Sequence, residues 1–172
     1  LNFESGKIQW EIDYAKLGMK FIGEKGTTPG ARRHGFTNTP LVIGNMVYAL
    51  VGGKNYSIVC FNRKTGEIIW NALDYEPGYA PPIPAMLSGK QQFVCFFVNG
   101  VVGVDVRNGS ELWNIPMKTD YGRHVAAPLA QNNIVIAGSH QVGLQGIRVY
   151  KNNKKLNAEV IWKNIEAQPH IS

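Results

Sequence analysis

The side chains best suited to chemistry in this 172-residue sequence form a small cationic and aromatic set: Arg32, Arg33 and His34 in succession, Tyr79, the pair Arg123-His124, and His170. Guanidinium, imidazole and phenol groups brought together would bind an anion or a sugar, through charge, planar hydrogen-bond donors and ring faces. They do not by themselves make a metal centre. His34 and His140 have no Cys or carboxylate at ligand spacing, and His124 and His170 stand far apart in the chain, so no local run supplies a ligand set and no metal is expected. Ser/His/Asp or paired-carboxylate chemistry has no local motif to support it. The two cysteines, Cys60 and Cys95, sit inside the apolar runs Ile58-Val59-Cys60-Phe61 and Phe93-Val94-Cys95-Phe96. That setting fits buried free thiols; a disulfide between facing strands stays open.

What could hold such residues in place is a strand-rich domain. Charged residues make up only 17% of the chain and apolar ones 44%, with 19 glycines, so there is enough apolar surface for a core and the chain is not a disordered tail. Lys and Arg exceed Asp and Glu by 18 to 12. The basic residues are scattered along the sequence, however, and only Lys151, Lys154 and Lys155 form a tight group. That group reads as a solvated hairpin tip, with a patch for an acidic partner as the alternative. A nucleic-acid binder concentrates its cations and interleaves aromatics, so no nucleic acid is expected. Apolar runs such as Phe93 to Val98 are too short to span a bilayer, and no transmembrane segment is expected.

Internal repetition organises the chain. Asn2 to Trp10, Asn62 to Trp70 and Asp105 to Trp113 share one frame: Asn or Asp, two variable residues, a small polar residue, Gly, three residues, Trp. The Gly positions are Gly6, Gly66 and Gly109, and Trp162 closes a fourth, degraded copy in which Lys151 to Lys155 replace the turn. Physically the frame is a hairpin. The Asx side chain accepts backbone N–H bonds two residues on, and Gly takes a positive φ. With a side-chain period of two, Ile68 and Trp70 are predicted to share a face, as are Glu111 and Trp113. A second marker opens a strand in each unit, at Pro40, Pro82 and Pro128, 42 and 46 residues apart. A period in the forties with four short strands per unit is that of a propeller blade. The expected fold is all-β, with four-stranded antiparallel blades at residues 39–73, 81–116 and 127–164. Residues 1–14 are expected to form the last hairpin of a preceding blade, 15–38 an insertion loop, and 165–172 the lead into a following blade.

On these motifs the chain resembles the pyrrolo-quinoline-quinone-like β-propeller repeats, whose signature is close to Ala-x-Asp-x-x-Thr-Gly-x-x-x-Trp. Asn62 to Trp70 and Asp105 to Trp113 match it closely, Asn2 to Trp10 with Ser5 for Thr, and the copy ending at Trp162 departs from it. The resemblance implies a ring of seven or eight blades with the tryptophans docking neighbours, so these 172 residues would be about three and a quarter blades. The remaining blades, of the same protein or of a partner chain, are then required to close the ring. Members include quinoprotein alcohol dehydrogenases, a periplasmic lipoprotein of outer-membrane protein assembly and secreted bacterial proteins. The resemblance therefore implies a periplasmic or extracellular location. The dehydrogenases hold their quinone with adjacent cysteines and a stacking Trp, beside calcium and a carboxylate base. Here Cys60 and Cys95 are 35 positions apart and every Trp belongs to the repeat. The expected role is a binding or protein-interaction scaffold without quinone, with envelope proteins or glycans as partners. The alternatives are a fragment of a quinone- and calcium-dependent dehydrogenase of alcohols or sugars, and a carbohydrate-binding or carbohydrate-processing propeller.

Aligned on the opening Pro, the position four residues earlier holds Phe36, Gly78, His124 and, one period on, His170. In a propeller the segments leading into the first strands ring one mouth of the channel. Arg32, Arg33, His34, Tyr79, Arg123, His124 and His170 would then gather there as an anion or sugar site. The alternative is that they satisfy loop backbone groups and cover the channel end.

Overall fold

In the computed structural model, which describes residues 1–2, 4–17, 38–120, 122 and 124–169, three antiparallel sheets of four strands follow one another along the chain. The first is β1 (Leu41–Ile43), β2 (Met46–Leu50), β3 (Ile58–Asn62) and β4 (Ile68–Ala72). The second is β5 (Ile83–Leu87), β6 (Lys90–Phe97), β7 (Gly100–Asp105) and β8 (Glu111–Pro116). The third is β9 (Leu129–Gln131), β10 (Ile134–Ser139), β11 (Gly143–Asn152) and β12 (Lys155–Asn164). Each sheet keeps sequence order from first strand to last, the up-and-down arrangement of a propeller blade. The chain is a partial propeller of about three blades.

The repeated frame builds the same turn each time. Asn62 N–H donates to the Glu67 carbonyl at 2.8 Å and Gly66 N–H back to the Asn62 carbonyl at 2.8 Å; Asp105 and Gly109 repeat this pair at 2.8 and 2.9 Å, and Asn2 and Gly6 at 2.8 Å each. The Asx side chain adds the expected cap, Asn62 Oδ1 accepting from Lys64 N–H at 2.9 Å and Asp105 Oδ1 from Arg107 N–H at 3.0 Å. Gly6, Gly66 and Gly109 all have φ between +66° and +77°, where a Cβ would be strained. Residues 1–14 make this turn, but no strand is assigned among their described residues. In the third blade β11 and β12 run on to Asn152 opposite Lys155, and the lysines sit on the exposed tip of this longer hairpin.

Packing follows from the two-residue period of the central strands. On β6, Phe93, Cys95 and Phe97 face the first blade, where they meet Tyr48, Leu50, Ile58 and Cys60. The intervening Val94 and Phe96 face the third blade, against Val135, Ala137, Ile147 and Val149. Ala49, Val51, Val59 and Phe61 face the other way, toward Ile12 and Tyr14 of the N-terminal segment. Strands buried on both faces are what a central blade requires.

One expectation fails for a clear reason. Each third-to-fourth strand pair carries a bulge at the same place, between Cys60 and Phe61, Gly103 and Val104, and Gly146 and Ile147. The extra residue reverses the alternation, so Ile68 lies opposite Phe61 and packs toward the N-terminal segment while Trp70 lies opposite Cys60 and packs toward the second blade. The two do not share a face. The bulge aims the tryptophan at its neighbour: Trp10 covers Gly66 and Trp70 covers Gly109 of the next turn. Trp113 instead lies across Gly103 of its own blade, buried, and donates from Nε1 to Gln92 Oε1 at 2.5 Å.

Candidate functional site

The segments leading into β1, β5 and β9 lie side by side at one end of the arc, each bonded to the next. Asn38 Nδ2 donates to the Gly78 carbonyl at 2.8 Å, and the Tyr79 and Ala80 N–H groups both donate to the His124 carbonyl, at 2.9 and 2.8 Å. Gly78 is needed at this crossing: a Cβ there would stand 2.7 Å from the Phe96 carbonyl and 3.2 Å from His124 Cβ. Positions 78 and 124, equivalent in the repeat, are thus neighbours in space.

The structure does not place His124 as an exposed cation. Its side chain is fully buried, its ring stacks on Phe96 with centroids 4.0 Å apart and planes 6° from parallel, and Nε2 lies 3.0 Å from the Val98 carbonyl. A carbonyl only accepts, so Nε2 carries the proton of a neutral ring. Burial pulls its pKa down to about 4, against the opposing pull of the Val98 carbonyl and with a smaller push from His140. Between pH 5 and 8 His124 is therefore a neutral clamp between two blades. Tyr79 is half-buried beside it. Arg32, Arg33, His34, Arg123 and His170 lie outside the described residues, as does Phe36, so the geometry brings together only Tyr79 and His124 of the set.

Other polar clusters were not evident from sequence. Asp105, the Asx of the second-blade turn, is buried between Lys90 Nζ at 2.7 Å and Arg107 Nη2 at 2.9 Å. Arg107 and then Lys90 hold its carboxyl far below the usual range, against the opposing effect of burial. Neither partner adjoins it in the strand pattern in a way that marks a site: the signal is only that Asp stands where the other copies have Asn. On the connector from the first blade to the second, the Tyr75 hydroxyl donates to Glu111 Oε2 at 2.5 Å and its ring stacks on Phe97. Burial first, and Glu111 second, push its pKa up to about 12.

The residues a redox cofactor would draw on are engaged in packing. Cys60 and Cys95 are free thiols, both buried in the core between the first and second blades, and burial pushes both pKa values up. A raised pKa makes a thiol a poor nucleophile and a poor ligand at neutral pH. Among the described residues no group of three His, Cys, Asp or Glu side chains could hold a metal ion, and no helix is long and apolar enough to cross a membrane.

A family model described as outer membrane protein assembly factor BamB matches residues 1–171. Among solved structures, BamB from Moraxella catarrhalis superposes with a TM-score of 0.53 at 16% identity, over 73% of this chain and 36% of that one. That likeness speaks for the fold, and this chain spans about a third of that protein's length. No curated protein matches the chain. The shared turn, the bulge-aimed tryptophan and the match over nearly every residue lead to one conclusion: the chain belongs to the BamB-like family of pyrrolo-quinoline-quinone-like repeat propellers.

Proposed function

We propose that this chain is part of a periplasmic propeller that serves as a protein-interaction scaffold in outer-membrane protein assembly, without bound quinone and without catalysis of its own. Support for the assembly role comes from the family description over residues 1–171. The observation that weighs most against the dehydrogenase reading is the use of the cofactor-type residues. Trp10 and Trp70 dock on neighbouring turns, Trp113 is bonded to Gln92, and both cysteines fill one blade interface. A quinone needs an exposed ring face and reactive groups around it, and withdrawing these residues would open the core. Further blades completing a ring of seven or eight would supply the rest of the scaffold, and the partners would be envelope proteins of the assembly machinery.

Two measurements on the full-length protein separate the readings. Incubated with quinone, calcium and alcohols or aldose sugars, it is expected to reduce no dye; steady turnover would establish the dehydrogenase instead. Photo-crosslinkers placed in living cells at exposed positions such as Asp120 and Gln141, on the connector end, are expected to capture proteins of the outer-membrane assembly machinery. Cross-linking to none of them would remove the assembly role.

A further inference from the structure

The cations scattered along the sequence are gathered by the fold. Strands β1, β3, β5, β7, β9 and β11 all run toward one end of the blades, so their following turns share a face. The hydrogen bonds join those turns directly. Arg63 donates from N–H to the Asn45 carbonyl at 2.8 Å, Ser88 N–H donates to Asn133 Oδ1 at 2.6 Å, and Trp10 Nε1 donates to the Arg63 carbonyl at 2.8 Å. On this face stand Lys7 of the N-terminal turn, Arg63 and Lys64 of the first blade, and Lys90 and Arg107 of the second. The third blade adds Lys151, Lys154 and Lys155. Against these eight cations the same turns carry Glu4, Glu67 and Asp105, and Lys90 and Arg107 are both paired with Asp105.

Among the described residues the opposite end has the other sign. Its turns and connectors hold Lys54 and Lys118 against Asp74, Glu76, Asp120 and Glu166 among the described residues. Among the described residues the cations are therefore concentrated on the turn face.

We infer that the turn face is a docking surface for an anionic lipid bilayer. Its cations ride on separate, rigid turns spread over three blades, which suits a broad sheet of headgroups. Apolar side chains stand at the same end: Ile43 and Met86, near the turn ends of β1 and β5, are 43% and 59% exposed. Basic residues with exposed apolar neighbours are the pattern of a surface that binds headgroups and inserts shallowly. A single-stranded nucleic-acid surface would offer free aromatic faces for stacking, whereas the aromatics against these turns, Trp10 and Trp70, are laid on Gly66 and Gly109.

The test is flotation of the full-length protein with lipid vesicles. With phosphatidylcholine vesicles containing about a third phosphatidylglycerol, binding at low salt is expected, and with pure phosphatidylcholine none. Each cation removed near a bilayer weakens binding about fivefold, so Lys151→Gln/Lys154→Gln/Lys155→Gln is expected to weaken it by on the order of a hundredfold. Lys54→Gln/Lys118→Gln, on the other end, is expected to leave it unchanged. Unaltered tryptophan fluorescence of both variants checks their fold. Equal binding to both vesicle types, or equal loss in both variants, would overturn the proposal. So would tighter binding, at the same salt, to duplex DNA or to polyglutamate than to the anionic vesicles.

Discussion

The indole of Trp70 lies so close over Gly109 of the next blade that a Cβ there would stand 2.7 Å from the ring. Trp10 bears the same relation to Gly66, at 2.8 Å. At these two joins a flat ring is laid on a bare backbone, so Gly66 and Gly109 serve twice, for the turn's positive φ and for the absence of a side chain. Gly109→Ala is expected to destabilise the protein by about 2 to 5 kcal/mol, from left-handed strain and overpacking together. Gly89→Ala is the control, since its φ is +76° but nothing lies within 4 Å of the added Cβ; it should cost only the strain, about 1 to 2 kcal/mol. A Cβ at Gly109 would also stand 2.5 Å from Ala72 Cβ, so urea midpoints of the two variants measure the packing of the first blade on this turn, and equal losses would show that this packing contributes nothing.

The buried bond from Trp113 to Gln92 predicts a coupled pair. Trp113→Phe removes the donor and leaves the Gln92 carbonyl oxygen buried, at a cost of about 2 to 4 kcal/mol. Gln92→Met in the same background should restore part of that loss. A double-mutant cycle in urea is expected to give a coupling of about 1 kcal/mol or more; additive losses would contradict the bond's role.

Stability should fall with acid in two steps. His124 has its pKa lowered to about 4 by burial, from about 6.5 in the unfolded chain. The unfolded state then takes up a proton that the folded state refuses, so stability present above pH 6.5 is lost as pH falls toward 4, by on the order of 3 kcal/mol. Asp105, depressed by Arg107 and Lys90, holds its contribution above the ordinary carboxylate range and loses it at lower pH. His124→Phe is expected to flatten the first step and leave the second; a curve unchanged between pH 6.5 and 4 would show that the ring is not held neutral.

Tyr75 gives the opposite sign. Its pKa is raised to about 12, so the stability it contributes is complete below pH 10, where the free phenol titrates, and is lost as pH rises toward 12. Tyr75→Phe keeps the stack on Phe97 but removes the bond to Glu111, at about 1 to 2 kcal/mol. Burial raises Tyr14 and Tyr48 as well, so ultraviolet titration of the tyrosines in protein and variant should show one late-ionising group fewer.

The blade count and the turn were legible because they are local: an Asx, a Gly and a Trp at fixed offsets need nothing from the rest of the chain. The bulge was not legible, because nothing in Glu67 to Trp70 marks which residue is the extra one, and so Ile68 and Trp70 were assigned to one face. His124 lies beside Gly78, and its charge state depends on Phe96 and Val98, which nothing local to His124 marks. The same holds for the cations. Lys64, Arg107 and Lys154 are remote in sequence, and the shared direction of β3, β7 and β11 puts them on one face.

The alternation along β6 has a consequence for how the molecule comes into being. Phe93 and Phe97 wait for a blade already synthesised, Phe96 for one still to come. Every interface among these three blades therefore joins segments within about two repeat lengths of each other, as in quasi-linear repeat architectures. Such a chain can fold in the order in which it leaves the ribosome, each new unit closing over the exposed half of the last. The faces left uncovered are then that of the newest blade, until its successor arrives, and that of the first blade, until the ring closes.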